Sequence, residues 1–303
     1  MIGYNVYVPV STVGNYNNVQ VYMDGKLITP NTYADSDVVR ETVVAVAGTT
    51  CYDYTLTLAP QVAAKEFTLV IIYNGQCVSR KVSVMNYAEA LVESGLTEKT
   101  TELLKVALNY IEQATIYSGN TVDLTRLTAL KNSLGTTTVA PTAPTAPSVE
   151  HSETKADFGA YIRGVQINVR DNCAIRFNLQ DGVDASQLQI FVANDNNDGY
   201  NAKAVTVAND GSYVELSIRA YEMPRQIKLV IGGEYDLYSI YDYYVSMSEL
   251  ANATITVNGA SYITGQTYEY QAALKLIESI YSYASVCDKY LDRNAAEYDP
   301  SNQ

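Results

Sequence analysis

The sequence predicts an α+β protein of two tandem units, each an antiparallel β-sandwich followed by a helical hairpin, joined by a Pro/Thr linker. Three observations predict it. Short strand-like runs fill the chain before residue 82, and Val82–Tyr117 then turns from strand into two amphipathic helices. The same order of elements returns, degraded, between Tyr238 and Leu291. Between the copies lies GTTTVAPTAPTAPSVE, Gly135 to Glu150, whose prolines among Thr, Ala and Ser suit neither sheet nor helix and read as an extended polyproline-like tether. The expected organisation is therefore a first copy over 1–134, truncated at its N-terminus, a linker over 135–150, a second copy over 151–296 and a tail over 297–303.

The elements follow from pattern. Tyr4 to Val10 alternates as a strand with one inward face. Val19 to Met23 alternates too, and Asp24-Gly25 is a hairpin turn into Lys26-Leu27-Ile28. Thr42 to Val46 is β-branched, Tyr52 to Leu58 alternates strictly, and Ala59 to Glu66 is a crossover with a short helical turn around Pro60. Phe67 to Tyr73 is a continuous apolar run, the mark of a central strand, and Asn74-Gly75 turns it into a return strand from Cys77 to Val84. About seven short strands at this spacing predict a sandwich rather than a βαβ fold. Asn86 is the expected cap of a helix stopped by Gly95, and Thr97 or Thr100 starts the next. That second helix carries Leu103, Leu104, Val106, Ala107, Leu108, Tyr110, Ile111 and Ala114 at helical spacing, and Asp123 to Leu134 adds a third.

Beyond the linker, Phe158 to Val169 and Cys173 to Leu179 read as strands around an Asp171-Asn172 turn. Leu188 to Val192 matches Val19 to Met23, Tyr213 to Ile218 matches Tyr54 to Leu58, and Leu229-Val230-Ile231 matches Leu69-Val70-Ile71. Ser239 to Tyr243 matches Ser83 to Tyr87, and Leu274 to Ile277 matches Leu104 to Ala107. Two copies of one unit predict an array, for which surface display is the usual use.

Composition excludes several partners. The chain has 303 residues, 33 acidic against 20 basic, a net charge of −13 and a 47% hydrophobic content, enough for two cores. Such acidity argues against nucleic acid and against anionic lipid. No apolar run is long enough to span a membrane. Met1 leads straight into a strand with no signal peptide, as expected of a piece of a longer protein. There are 27 Tyr, 4 Phe and no Trp, a usage associated with secreted bacterial surface proteins. Cys51, Cys77, Cys173 and Cys287 show no metal-ligand spacing. Either Cys51 and Cys77 pair across neighbouring strands or all four are small buried thiols.

Catalytic chemistry finds little support in the residues. The one histidine, His151, stands beside Glu150 after the linker, where a surface role is the plain reading. Cys287 needs a histidine within reach to serve as a nucleophile. Asp53, Asp181, Asp184 and Glu215 are scattered near strand ends and do not mark a glycosidase pair. The candidate ion site is Asn194, Asn196 and Asp198, oxygen ligands at alternate positions before Gly199, as in a calcium loop. Its twelfth position is Val205 rather than Glu, and an ordinary turn competes with the calcium reading. Sugar binding needs exposed rings flanked by polar side chains. Tyr235, Tyr238, Tyr241, Tyr243 and Tyr244 are dense but lie near a strand–helix junction and are read partly as core. Tyr16, Tyr22 and Tyr200 sit near turns and are the candidate ligand-binding residues.

Val82-Ser83-Val84-Met85-Asn86-Tyr87-Ala88 and Leu103-Leu104-Lys105-Val106-Ala107-Leu108-Asn109-Tyr110-Ile111-Glu112-Gln113-Ala114 carry a resemblance. They resemble the YSVxxYA junction and LVKAMLNYGAAAQ helix of a repeated unit at the C-terminal ends of large extracellular proteins of gut Firmicutes. The chain departs at Ile111-Glu112, where that family has small residues, and in the second copy at Ser279-Ile280. The resemblance covers most of both halves. It implies a secreted or wall-attached location, alongside glycan-acting enzymes or adhesins, and no catalytic activity. The expected function is thus a non-catalytic structural or adhesion segment of a secreted or cell-surface bacterial protein. A glycan-binding module is the alternative and a glycoside-acting enzyme the remote one. The expected partners are a cell-wall, dietary or host glycan, or another surface protein, with neither nucleic acid nor membrane insertion. No cofactor is expected besides the calcium candidate.

Overall fold

The computed structural model describes residues 2–30, 32–35, 38–41, 43–135, 154–155, 158–169, 173–194, 199–258, 260–263 and 268–290. It is a mixed α+β protein, with sheets that are antiparallel except for one two-residue parallel pairing. Among the described residues no helix is long and apolar enough to cross a membrane. The contacts form two compact units that divide between Leu96 and Thr97, whereas the sequence sets its boundary in the proline segment. The tail over 297–303 and the linker beyond Gly135 lie outside the described residues, as does His151.

In the first unit β1 (Ile2–Pro9) runs into a short helix, α1 (Val10–Val13). Then come β2 (Val19–Met23), β3 (Lys26–Ile28), β4 (Thr32–Asp35), β5 (Val38–Glu41), β6 (Val43–Val46), β7 (Thr49–Leu58), β8 (Phe67–Tyr73) and β9 (Gln76–Val82), followed by α2 (Val84–Ser94). The sheets have orders β1-β7-β6 and β3-β2-β8-β9, with β4-β5 as a separate hairpin. Alternation decides which residues meet. Val6 and Val8 of β1, Tyr52 and Tyr54 of β7, and Val19 and Val21 of β2 form one buried cluster, against which Leu69 and Ile71 of β8 pack. The two sheets thus meet through their alternate side chains, as a sandwich requires. The Tyr52 hydroxyl donates to the Gly14 carbonyl at 2.9 Å, so a buried ring keeps a satisfied polar tip. The expected crossover is a single 3-10 turn at Pro60–Val62. Cys51 is buried in β7, Cys77 is exposed on β9, and both are free thiols, so the pairing alternative fails: their strands belong to different sheets.

The first helix after the sheet is capped by Ser83 rather than by Asn86. The Ser83 Oγ accepts the Asn86 backbone N–H at 3.0 Å and donates to the Asn86 Oδ1 at 3.0 Å. Asn86 therefore occupies the third helical position, where the serine hydroxyl satisfies its N–H and donates back to its side chain.

The second unit opens with α3 (Glu98–Tyr117) and α4 (Thr125–Ser133). Its strands are β10 (Thr154–Lys155), β11 (Ile162–Asn168), β12 (Ala174–Leu179), β13 (Gln189–Ala193), β14 (Tyr200–Lys203), β15 (Thr206–Val207), β16 (Tyr213–Ser217), β17 (Ile227–Ile231) and β18 (Glu234–Tyr238). Helix α5 (Ile240–Asn252), the hairpin β19 (Thr254–Val257) and β20 (Ala260–Ile263), and α6 (Tyr268–Tyr290) complete it. The large sheets have orders β10-β18-β17-β13-β14 and β11-β12-β16-β15. Phe177 of β12 meets Tyr238 of β18 edge to face at 5.7 Å, joining the sheets through their apolar faces.

Helix α3 finds its partner in α6. Each carries a buried stripe: Leu104, Leu108, Ile111 and Ala114 on α3, and Ala273, Leu276, Ile277, Ile280 and Ala284 on α6. At the centre, Tyr110 stacks on Tyr283 with centroids 5.6 Å apart. A 20-residue amphipathic helix needs an apolar partner of comparable length, and the 23-residue α6 provides one. Glu112, buried on α3, fixes α4: the Thr128 Oγ1 donates to its Oε1 at 2.6 Å and Lys131 forms an ion pair with its other oxygen. Glu112 departs from the small residue of the resembled helix, and its carboxylate has this local structural use.

Candidate functional site

The second unit holds a cleft of about 920 Å³, a volume in the range of small-ligand sites. Its strand wall is Val165 to Val169 with Arg176 behind, and its helix wall includes Tyr243, Met247 and Leu250 of α5 and Tyr270 of α6. The end of α3 closes one side with Tyr117, Ser118 and Gly119.

Local sequence places these groups. Helix α3 stops in a Schellman motif: the Asn120 N–H donates to the Thr115 carbonyl at 3.2 Å and the Gly119 N–H to the Ile116 carbonyl at 3.1 Å. Gly119 has φ 67°, which a residue without Cβ adopts without strain. At the start of α5 the Ser239 N–H and Oγ donate to the Asp242 Oδ2 at 2.7 and 2.8 Å. From that fixed start, Tyr243, Met247 and Leu250 fall on one helical face by their spacing of four and three.

The strand wall divides by alternation. Ile167 and Val169 point into the core, while Gln166 and Asn168 lie on the opposite, polar face. Arg176 is paired in register with Gln166 on one side and Glu215 on the other. Its Nε and Nη2 donate to the Glu215 Oε2 at 3.1 and 2.8 Å, and the Asn168 Nδ2 donates to the same oxygen at 3.0 Å. The guanidinium lies 3.9 Å from the Tyr213 ring centroid. This face is therefore polar but charge-matched. Across the cleft, burial pushes the Tyr243 hydroxyl far above the ordinary tyrosine value, and its hydrogen bond with Tyr117 and the nearby Tyr270 add to the rise. Tyr243 stays a neutral hydroxyl at any physiological pH.

Arg176→Ala is expected to cost about 3 kcal/mol, because it leaves the Glu215 carboxylate buried beside Asn168 without its cation. The double change Arg176→Met with Glu215→Leu should cost less than the single one in urea denaturation. Equal costs would mean that the pair contributes by volume alone.

A second aromatic group lies on the outer face of the five-stranded sheet. Phe191, Tyr200 and Tyr235 surround Lys228, their ring centroids 5.7, 5.9 and 5.6 Å from its Nζ. Burial, then the neighbouring Tyr235, raise the Tyr200 hydroxyl above its ordinary value.

The three candidate tyrosines do not come together. Tyr16 packs on the first core, edge-on to Tyr52 at 6.1 Å. Tyr22 lies on the other face of β2 and its hydroxyl donates to the Gln20 Oε1 at 3.1 Å. Tyr200 belongs to the second unit and joins the group around Lys228. Of the calcium candidate, Asn196 and Asp198 lie outside the described residues. The Asn194 N–H donates to the Gly199 carbonyl at 3.0 Å, closing the loop between β13 and β14. Among the described residues no group of three His, Cys, Asp or Glu is arranged to hold a metal. The four scattered acids are also placed: Glu215 pairs with Arg176, Asp184 accepts from Ser186, Asp181 stands exposed 3.9 Å from Arg163, and Asp53 lies in β7 of the other unit.

Sequence reasoning missed Gln166, Asn168, Arg176, Met247 and Leu250. One signal was present: Arg176 and Glu215 are single charges inside strands that otherwise alternate, in Ala174–Leu179 and Tyr213–Ser217. Comparison with protein-family models and with curated proteins gives no match for this chain.

Proposed function

We propose that this chain is a non-catalytic adhesion segment of a secreted or cell-surface bacterial protein, and that its second unit supplies the binding cleft. The observation that carries the reading is that cleft: a strand wall of Val165 to Val169 with the charge-matched Arg176 behind it, and a helix wall with tyrosine, methionine and leucine, fixed on regular elements. The tandem-copy reading supports it. In both units a 3-10 turn precedes a two-stranded hairpin, β8-β9 or β17-β18, and a serine then caps the following helix. The resemblance to repeated units of extracellular Firmicutes proteins agrees with display at a surface.

The test uses beads coated with the whole chain and settled on mucin or bacterial cell-wall layers. Leu250 is 44% exposed on the cleft wall, so Leu250→Lys alters the cleft without opening a core. Wild-type beads should resist washing and the variant beads should not. Equal retention of both overturns the reading.

Glycan binding is the second reading, favoured by Phe191, Tyr200 and Tyr235 around Lys228. Aromatic faces flanked by polar groups stack on sugars. Under that reading Tyr235→Ala, and not Leu250→Lys, abolishes binding on a glycan array.

A further inference from the structure

Helix α5 has a second face. Spacings of three and four place Tyr241, Tyr244, Val245 and Ser248 in one row, on the far side of the helix from Tyr243, Met247 and Leu250. The row is open to solvent: Tyr241 is 41% and Val245 37% exposed, and Tyr244 is half-buried. The Tyr241 and Tyr244 rings stack with centroids 6.4 Å apart and planes at 20°. The first unit uses the same positions differently. Counted from the capping serines, Tyr241 and Tyr244 match Met85 and Ala88 of α2, and both of those are buried. The second unit therefore carries aromatic rings at the surface where the first unit has core.

Carboxylates surround the pair. Asp242 and Glu249 stand exposed on α5, a helix with no basic residue, and Glu278 of α6 accepts the Tyr244 hydroxyl at 3.2 Å. Asp242 accepts from the Ser239 N–H and hydroxyl. These donors are neutral, so the bonds leave both negative charges in place. On α6 the basic residue nearest in sequence to Glu278 is Lys275, three positions before it. Tyr281 lies buried beside the group, and among the described residues its hydroxyl has no hydrogen-bond partner. Burial first, then Asp242 and Tyr241, raise that hydroxyl above its ordinary value.

We infer that this face of α5 docks an arginine-bearing peptide segment of a partner protein, with a guanidinium lying on the exposed Tyr241 ring. The chemistry favours that occupant. A tyrosine face attracts a cation through its quadrupole, and arginine adds a planar surface that stacks on the ring. The charge-assisted bond from the Tyr244 hydroxyl to Glu278 polarises its ring in the same sense. Asp242 and Glu249 then draw the positive charge to this side of the helix. From Tyr241 to Glu249 the helix rises roughly 12 Å, the reach of about four residues of extended chain. A convex helix face does not enclose a small cation as a pocket does, whereas a segment can lie along the whole row. A second copy of this chain is disfavoured: its net charge is −13, and α5 against α5 would set acids against acids. The face lies apart from the cleft, so the inference goes beyond the adhesion reading and does not rest on it.

The probe is a fluorescent, end-capped peptide of about seven residues alternating arginine with glycine, and its twin with citrulline, the uncharged isostere, in place of arginine. Anisotropy titration of the whole chain should show binding of the arginine peptide and none of the citrulline one. Tyr241→Leu keeps an apolar, helix-favouring side chain and every charge, and should weaken binding at least about threefold. Val245→Lys places a cation in the middle of the row and should weaken it about tenfold or more. Val92→Lys on α2, an exposed valine of the first unit, makes the same change in net charge and should alter binding less than about twofold. Circular dichroism checks that each variant is folded, and if Val245→Lys is not, Tyr241→Leu decides. No binding of the arginine peptide, equal losses from Val245→Lys and Val92→Lys, or unchanged binding by Tyr241→Leu overturns the inference. The bead assay with Leu250→Lys probes the other side of α5, so either result can fail while the other stands.

Discussion

Raising the pH from 10 to about 11 is expected to unfold the second unit cooperatively. Tyr110, Tyr238, Tyr243, Tyr281 and Tyr283 all have hydroxyls held far above the ordinary value of 10.0, in each case first by burial. Secondary causes differ: Cys173 beside Tyr110, Asp242 beside Tyr238 and Tyr281, and Cys287 beside Tyr283. In the unfolded chain each loses its proton near its ordinary value, while the folded chain keeps it. Above pH 10 the unfolded state therefore binds fewer protons, and stability falls as pH rises. The stabilisation is complete below the unfolded value and is lost as pH climbs towards the folded ones. Each group contributes a slope of about 1.4 kcal/mol per pH unit, so five approach the whole stability of a domain, ~5–15 kcal/mol, by about pH 11. Circular dichroism and tyrosinate absorbance should change together in one steep transition. Gradual ionisation with the secondary structure intact would show that these rings are open to solvent.

Tyr110→Ala is expected to destabilise the second unit by about 4 kcal/mol, the range for deleting a fully buried aromatic ring. Tyr110 is 0% exposed, stacks on Tyr283, and places its hydroxyl 3.4 Å from the Cys173 Sγ. Cys173 in turn lies 3.3 Å from the Met223 Sδ, so one ring joins α3, α6, the start of β12 and the crossover before β17. Tyr110→Phe keeps the ring and removes only a weak contact to sulfur, at a cost of about 1 kcal/mol or less. Urea denaturation of the three proteins separates packing from polarity. Similar losses in Phe and Ala variants would transfer the main role to the hydroxyl.

The sequence was most legible where one face of a strand or helix is buried. The alternation of Val19 to Met23 reappears as buried and open positions because the strand has one apolar face. Caps were legible in kind but not in place: Ser83 and Asn86 are both residues that favour the N-cap, and only geometry shows that the helix begins one turn earlier, with the serine accepting the Asn86 N–H. The Phe67–Tyr73 run predicts a central strand. It is an interior strand of its sheet, yet all seven residues are only half-buried, since a continuous apolar run has no periodicity to say which face is covered. The matched triplets Leu69–Ile71 and Leu229–Ile231 also pair differently. Leu69 faces Met23, while Leu229 faces Ile190, two residues off the sequence match, a shift that leaves every side chain on its own face. The cleft was not legible, because it depends on β11 being terminal and on Arg176 meeting Glu215 across 39 residues. Strand order is a long-range property that local pattern does not encode.

The pairing of α3 with α6 also sets an order in time. The second unit is held together by a helix at its beginning and a helix at its end, so the apolar stripe of α3 has no partner until Tyr268–Tyr290 has been made. At ~5–20 residues per second, the ribosome takes on the order of ten seconds to travel from one helix to the other. Both sheets of the unit are synthesised in that interval, and their strands fold beside an open greasy helix. The last helix thus acts as a latch: its emergence turns a collection of hairpins into a closed unit, and a chain cut short before it presents the Leu104, Leu108 and Ile111 stripe to whatever binds unfolded protein.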